Sequence, residues 1–503
     1  MSVFKRAFCM VTVCAGTLSL CTAAQAEVWV LAPSLSLDQR FDDNYLLLTT
    51  GDGEFSATRV VGELGLSRES EATSLEGLVR IDGLLTTTNE GGEETLDSNQ
   101  IAAFDARFRT ARSRYGASFN FKQDTPSRDI AADLSDPDSI ATDTGLNFNQ
   151  AGNVSRQEFI IAPEYEYDVS RRLIFDIGAT LTLVEHDLPE PQDAIFQQHI
   201  NSFPRNPDGS FNGTPLSFDE VTIDDVGVFT PSGELDDFFE SELDIGFRYK
   251  YSPITTLSFN AGYSRFVSEV EADSLIFFTN DEKDRDPRNG NIFRTPRRDS
   301  ISTTATFTLG FERQLSRTLK FGVIGGVFTN SIDNTDTLRP DDTIFDFVSQ
   351  QELDETIDEL ETDTDGWLAS ISLSYDAGLT RYEGRFAVDV EPSSLGSQVE
   401  SNELTASMFR VLSPRLDLSI RARAFEPDRL GVNSEDSFSR RFVSFEPLIQ
   451  WKYTREWTVS AAYRYRRQKS QTDPISAESN AILLGLKYTP ASKVRDAAQA
   501  SGL

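Results

Sequence analysis

Beyond residue 27, apolar residues recur at every second position through most of the chain. This period of two commits the chain to strands with one apolar and one polar face. In "WTVSAAYRYRRQ" (457–468), Trp457, Val459, Ala461, Tyr463 and Tyr465 form one face, and Thr458, Ser460, Ala462, Arg464 and Arg466 the other. "ELDIGFRYKY" sets Leu243, Ile245, Phe247, Tyr249 and Tyr251 against Asp244, Gly246, Arg248 and Lys250. "TATFTLGFE", "YGASFNFK" and "NAILLGLKY" repeat the pattern, and no comparable stretch has helical period.

A second regularity sits where strands join. "YDVSRRLIFDIGA", "YKYSPITTLSFNAG", "RQLSRTLKFGVIG", "RVLSPRLDLSIRA" and "WKYTREWTVSAAY" each place Ser or Thr, then Arg or Pro, between two alternating runs. These are tight hairpin turns. Short turns are expected near 70–73, 111–114, 168–171, 252–255, 314–317, 377–380, 412–415 and 454–456. Between them lie mostly longer connections, about 39–55, 87–98, 123–154, 185–236, 269–299, 331–366, 391–402, 426–439 and 468–478. Eight short turns alternating with nine longer connections imply 18 strands, with 16 as the alternative count.

Loops sorted by length onto opposite ends, with an even strand count, are the pattern of a transmembrane antiparallel up-and-down β-barrel. In lipid every backbone polar group must be paired within the protein, and strands achieve this only by closing on themselves. The expectation is an all-β outer-membrane barrel with short periplasmic turns, long external loops and both chain ends in the periplasm. Trp29, Trp451 and Trp457 fall near short-turn strand ends, and Trp367 is expected to begin a strand at an external loop, which suits interfacial aromatic belts.

The extreme N-terminus reads as a signal peptide. Lys5 and Arg6 form its positive region, Phe8 to Leu20 its apolar core and "AQA" its cleavage site, so residues 1–26 are removed and the mature chain starts at Glu27. A lipoprotein reading would use Cys21, but Leu20 is large for the position before an acylated cysteine. All three cysteines lie inside this segment, so the mature chain has no disulfide to hold it. Cleavage also removes Lys5 and Arg6, leaving the mature chain two charges more negative than the −33 of the full sequence. Such an acidic balance excludes nucleic acid as a partner. The barrel is assigned to 27–490 and a periplasmic tail to 491–503.

The opening "EVWVLAPSLSLDQRFDDNYLL", with Trp29, Pro33 and Asp42-Asp43-Asn44, resembles the first strand of the β-barrel porin family associated with exosortase/PEP-CTERM and exopolysaccharide systems. "FIIAPEYEYDVSRRL", "SFEPLIQWKYTREW" and "YRYRRQKSQTDP" resemble that family's later strands and last loop. The resemblance implies an outer-membrane barrel tied to surface polysaccharide or export, and supplies no catalytic motif. One departure is the tail: if "ILLGLKY" is the assembly signal ending at Tyr488, the residues after it hang in the periplasm.

On the expected inward face lie Arg80, Arg107, Arg109, Arg248, Arg421, Arg423, Arg464 and Arg466, with Asp82, Asp105, Glu164, Glu166, Asp176, Asp244 and Glu446. Most of these charges read as mutually paired filler of a polar lumen. Arg421, Arg423, Arg464 and Arg466, from the fifteenth and seventeenth strands at similar height, are the candidate selectivity cluster, able to bind an anionic chain or set anion preference. The connection 331–366 holds 13 acids and one base, Arg339. Its Glu361, Asp363 and Asp365 imitate part of an EF-hand, but the twelfth position is Ser372, so that motif is rejected. The alternatives there are loose Ca²⁺ or Mg²⁺ binding and a merely solvated acidic loop. The proline-rich connection 185–236 is long enough to fold inward or to form a lid.

The only histidines, His186 and His199, lie in that connection without a catalytic neighbour motif, so no enzyme activity and no cofactor are expected. Strands begin at once after the signal, which leaves no room for the plug of a TonB-dependent transporter. Two functions remain: a porin-like channel for surface polysaccharide or small solutes, and a non-conducting barrel whose acidic loops bind surface polymer or protein. The expected partners are outer-membrane lipid, lipopolysaccharide and the barrel-assembly machinery. Mass spectrometry of the purified protein should return Glu27 as the first residue; an acylated Cys21 would overturn the signal assignment.

Overall fold

The computed structural model describes residues 28–44, 55–88, 94–124, 155–187, 237–271, 275–279, 290–340, 356–392, 398–429, 440–470, 476–490 and 493–496. The signal segment, His199 and most of the connection 185–236 lie outside them. The strands of the first half are β1 (Val28–Asp42), β2 (Phe55–Glu69), β3 (Thr73–Thr88), β4 (Glu94–Arg109), β5 (Ser113–Asp124), β6 (Ser155–Asp168), β7 (Leu173–Asp187), β8 (Asp237–Ser252), β9 (Thr255–Glu271) and β10 (Leu275–Thr279). Those of the second half are β11 (Gly290–Gln314), β12 (Leu319–Pro340), β13 (Thr356–Asp376), β14 (Thr380–Pro392), β15 (Gln398–Ser413), β16 (Leu416–Arg429), β17 (Arg440–Lys452), β18 (Trp457–Ser470), β19 (Ser476–Tyr488) and β20 (Lys493–Asp496).

Each strand from β1 to β8 pairs antiparallel with the next, β9 pairs with β11, the order continues to β19, and β19 pairs with β1. Leaving aside the short strands β10, on the edge of β11, and β20, on the start of β1, the result is a closed 18-strand up-and-down barrel. Closure is what lets strands cross lipid, because it leaves no edge with unpaired backbone groups.

All eight expected short turns are present, and each carries the same local device. The Oγ of Ser70, Ser170, Ser252, Ser316 and Ser413 and the Oγ1 of Thr110 and Thr454 accept a backbone N–H two or three residues on, at 2.9–3.3 Å. In the remaining turn Asp376 Oδ1 accepts the N–H of Gly378 at 2.9 Å, and Gly378 takes the left-handed φ of 79° that favours glycine. The recurring Ser or Thr is therefore a turn cap that satisfies a backbone donor where the ladder ends.

The two faces of the wall differ as the alternation requires. Leu35, Leu37, Phe41, Val60, Leu64, Val459, Tyr463, Ile482, Leu484 and Leu486 are exposed on the outside, whereas Arg40, Asp42, Arg464, Arg466 and Ser479 are buried on the inside. An apolar exterior over polar contents suits lipid outside. On the outer face of β1 and β2 a group of polar side chains satisfies itself: Thr58 Oγ1 donates to Gln39 Oε1 at 2.6 Å, and Gln39 Nε2 donates to Ser56 Oγ at 3.0 Å. Trp451, Trp457 and Tyr488 mark the short-turn end of the band, with the Trp457 and Tyr488 rings 4.8 Å apart.

Three expectations need correction. The acid-rich connection 331–366 is mostly strand: β12 runs to Pro340 and β13 starts at Thr356, with Asp333 opposite Glu361 and Asp336 opposite Asp358. Backbone pairing needs no apolar side chains, so the ladder continues past the edge of the apolar band. Trp367 therefore lies well inside β13 rather than at its start. Along the outer face, exposed Glu361, Asp363 and Asp365 give way at Trp367 to Ile371, Leu373 and Tyr375. The segment 491–503, expected to hang free, contributes β20, paired with Val28–Leu31 of β1.

Leu484 lies in the middle of the apolar band of β19. Replacing it with Arg should lower stability by about 2–4 kcal/mol, and replacing it with Ala by much less. Urea unfolding in lipid vesicles would measure both. Equal effects of the two changes would mean this face does not meet lipid.

Candidate functional site

The lumen wall is built from the inward residues of strands whose outward neighbours are fixed by lipid. It has two levels. Toward the long connections it is enclosed: Arg80, Asp82, Leu84 and Thr86 on β3, Phe266 and Ser268 on β9, Ser300, Ser302 and Thr304 on β11 and Ala477, Ser479, Ala481 and Leu483 on β19 are buried. Toward the short turns the inward residues of the same strands are more accessible, as at Glu76, Thr306 and Thr308. The enclosed level is not purely polar. Phe328, Ile332 and Leu368 pack together there, and Gly366 leaves the space the Phe328 ring occupies.

The four candidate arginines face this lumen and lie close together. Register places Arg421 of β16 opposite Glu446 of β17, and Arg423 opposite Ser444, which in turn faces Arg466 of β18. They are not free charges, however. Arg464 donates from Nε to Glu446 Oε2 at 2.5 Å, Arg423 from Nε to Glu403 Oε1 at 2.5 Å, and Arg466 from Nη2 to Asp42 Oδ2 at 3.0 Å. Asp42 also accepts from Arg40 Nη2 at 2.5 Å and from Ser479 Oγ at 2.7 Å. Arg464 and Arg466 retain 4% and 1% exposure, so their carboxylate partners offset a large desolvation cost. Arg421 alone of the four has no ion pair among the described residues. With Arg40 counted, this wall carries two more guanidiniums than the carboxylates Glu403, Glu446 and Asp42 that meet them.

The other expected inward charges are also placed, with exposed Arg109 at the short-turn end of β4 opposite Arg114 of β5. Arg80 and Asp82 meet at 3.6 Å, and Arg59 bonds the same carboxylate. Arg107 sits 3.1 Å from Asp105 in the open level. Across the barrel, nine strands from β16–β18 in the ring of eighteen, lies the wall of β6–β8. There Arg248 bonds both Glu166 and Asp176, and Arg114 meets Glu166 and Asp168, each at 3.1 Å. Glu164, Glu240, Glu242 and Asp244 have no ion pair among the described residues. The lumen thus has a guanidinium-rich wall facing a carboxylate-rich one.

Arg40, Asp42, Arg59, Glu240, Glu242 and Glu403 were not among the expected inward charges. For Glu240 and Glu242 the signal was present, since counting back by twos from Asp244 reaches both. Arg40 and Asp42 fall in the connection expected over about 39–55, whereas β1 runs on to Asp42. The acids Glu361, Asp363 and Asp365 lie on an extended strand, whose backbone cannot wrap a cation as a calcium loop does. His186 ends up on β7, opposite Arg156 of β6.

No family model and no curated protein matches the chain. Solved structures similar to it include outer-membrane receptors and porins. The ferric-catecholate import receptor Fiu from E. coli K12 aligns over 93% of this chain and 82% of its own, at 10% identity and a TM-score of 0.42. The outer-membrane protein OpdK from Pseudomonas aeruginosa covers 92% and 99%, at 9% identity and 0.36. A BenF-like porin from Pseudomonas fluorescens Pf-5 covers 91% and 98%, at 9% identity and 0.38.

Breaking a buried pair by removing one partner strands the other charge. Glu446→Gln should therefore cost about 3–5 kcal/mol, while Arg421→Gln should fall within about 0.5 kcal/mol. Urea midpoints in vesicles would check both; equal effects would show that Glu446 does not compensate Arg464.

Proposed function

We propose that the chain is an outer-membrane porin-like channel for small, polar, charged solutes. The observation that carries this reading is the two-sided wall: a closed barrel, apolar outside, whose inner surface segregates guanidiniums from carboxylates. A solute passing between such walls is oriented by the field across them, and lumen charges act at short range in a confined space. Charges on the outer rims are screened over about 8–10 Å at ordinary ionic strength. The short turns then face the periplasm and the acidic extensions of β12 and β13 the exterior. The excess guanidinium charge around Arg421, Arg423, Arg464 and Arg466 supports anions along that wall, an acidic polysaccharide strand among them, in keeping with the resemblance to exopolysaccharide-associated porins.

The burial of the lumen level near the long connections favours a second reading, a non-conducting barrel that anchors surface polymer or protein. Planar-bilayer recordings under a salt gradient separate the two. Changing Arg421, Arg423, Arg464 and Arg466 together to Ser should shift the reversal potential toward cations. Arg421→Ser alone, which breaks no ion pair, should shift it less in the same direction. Glu240→Gln, Glu242→Gln and Asp244→Asn together should shift it toward anions. Conductance with unmoved reversal potentials would make these charges paired filler. A folded, heat-modifiable barrel without conductance would support the anchoring reading.

A further inference from the structure

The strands that close the barrel are the first and the last, and their junction is built unlike its neighbours. β1 shares fourteen registered pairs with β2 but only eight with β19, from Leu35 opposite Tyr488 to Asp42 opposite Ala481. Below these pairs, β1 hands over to β20, which it meets from Val28 to Leu31. Pro33, with no N–H to donate, lies at the handover. Backbone pairing at this seam is therefore short and interrupted toward the short-turn end.

At the long-connection end, side chains take over. On the inner face the buried carboxylate of Asp42 gathers Arg40 from its own strand, Arg466 from β18 and Ser479 from β19. Arg466 Nη2 also donates to Ser479 Oγ at 3.0 Å. On the outer face Asp43 accepts the Asn480 N–H at 2.6 Å and Asn480 Nδ2 at 2.8 Å, and its own N–H donates to Asn480 O at 3.1 Å. Asn44 Nδ2 donates to the backbone oxygen of Glu478 at 2.9 Å, and Tyr463 Oη donates to Asn480 Oδ1 at 2.6 Å. Three consecutive residues thus bind three consecutive residues of β19 from both sides of the wall. Each partner is more than four hundred residues away in sequence.

We propose that Asp42-Asp43-Asn44 is the closure latch of the barrel: a polar clasp that forms only when the last strand meets the first, and that keeps the seam from opening toward lipid. Hydrogen bonds to carboxylates are among the stronger ones and are strengthened by exclusion of water. Asp42 is the centre: Arg40 reaches it from its own strand, but Arg466 and Ser479 reach it only when β18 and β19 are in place. Until then a carboxylate destined for burial remains solvated, so latching and closure are one event. The latch stands independently of whether the barrel conducts.

The mature chain has no cysteine, so introduced pairs report on the seam directly. Two reporters are Phe41→Cys with Ile482→Cys beside the latch, and Leu37→Cys with Leu486→Cys further down; both pairs are directly opposed. The mature protein is refolded into lipid vesicles and oxidised with copper phenanthroline. Combining Asp42→Ala and Asp43→Ala should slow cross-linking of the upper pair about tenfold, and that of the lower pair much less. Unchanged cross-linking of the upper pair would overturn the proposal. If the double alanine variant does not reach the heat-modifiable form, the upper disulfide should stand in for the clasp. Folding would then return under oxidising but not reducing conditions, and failure to return would equally overturn it.

Discussion

Pairing of every backbone N–H and C=O inside lipid is the constraint on which the rest of this structure depends. It forces closure, and closure forces strands remote in sequence to become neighbours. Deviations from an unbroken ladder occur where the chain has a local reason. Pro163 and Pro447 each coincide with a gap in a registered ladder, between β6 and β7 and between β17 and β18, because neither has an N–H. Each gap spans two residues and the register resumes unshifted, so the wall absorbs the prolines without a bulge. At the turns the ladder ends in Ser, Thr or Asp oxygens that accept the leftover donors.

Once closure places a charged residue inside, desolvation decides its fate. The enclosed level of the lumen buries arginines almost completely, and these meet carboxylates of their own or nearby strands. The open level tolerates half-exposed pairs such as Arg114 with Glu166. The chain's strongly negative net charge therefore says little about the field inside. Many acids belong to the long connections and to the extensions of β12 and β13, whereas β16–β18 carry more guanidiniums than carboxylates. The carboxylate-rich β6–β8 wall stands opposite, so the field runs across the barrel.

The seam between β1 and β19 shows the same economy in another form. Backbone pairing there is short, and the polar side chains of Asp42, Asp43 and Asn44 supply contacts that the adjacent pairs β1–β2 and β18–β19 obtain from longer ladders. β20 covers the lower part of β1, where β19 has already ended. A closing strand with an unprotected edge would be a site for non-native pairing.

Strand identity, the eight short turns, the inward or outward sense of most side chains and the barrel class were legible in the sequence. All four are local: period-two alternation and a Ser or Thr before a tight turn need only neighbouring residues. Arg421, Arg423, Arg464 and Arg466 could be placed on one wall because each counts out from a turn along its own strand. What the sequence left open was which charges meet. Arg466 and Asp42 are 424 residues apart, and nothing local brings them together. Their contact follows from the register of β18, β19 and β1, which the closed ring sets as a whole. The lengths of β12 and β13 and the pairing of β20 were equally hidden, because strands outside the apolar band lose the alternation that marks them. Composition and periodicity thus decided that this chain is a barrel; only ring closure decided which of its lumen charges meet a partner and where the barrel latches.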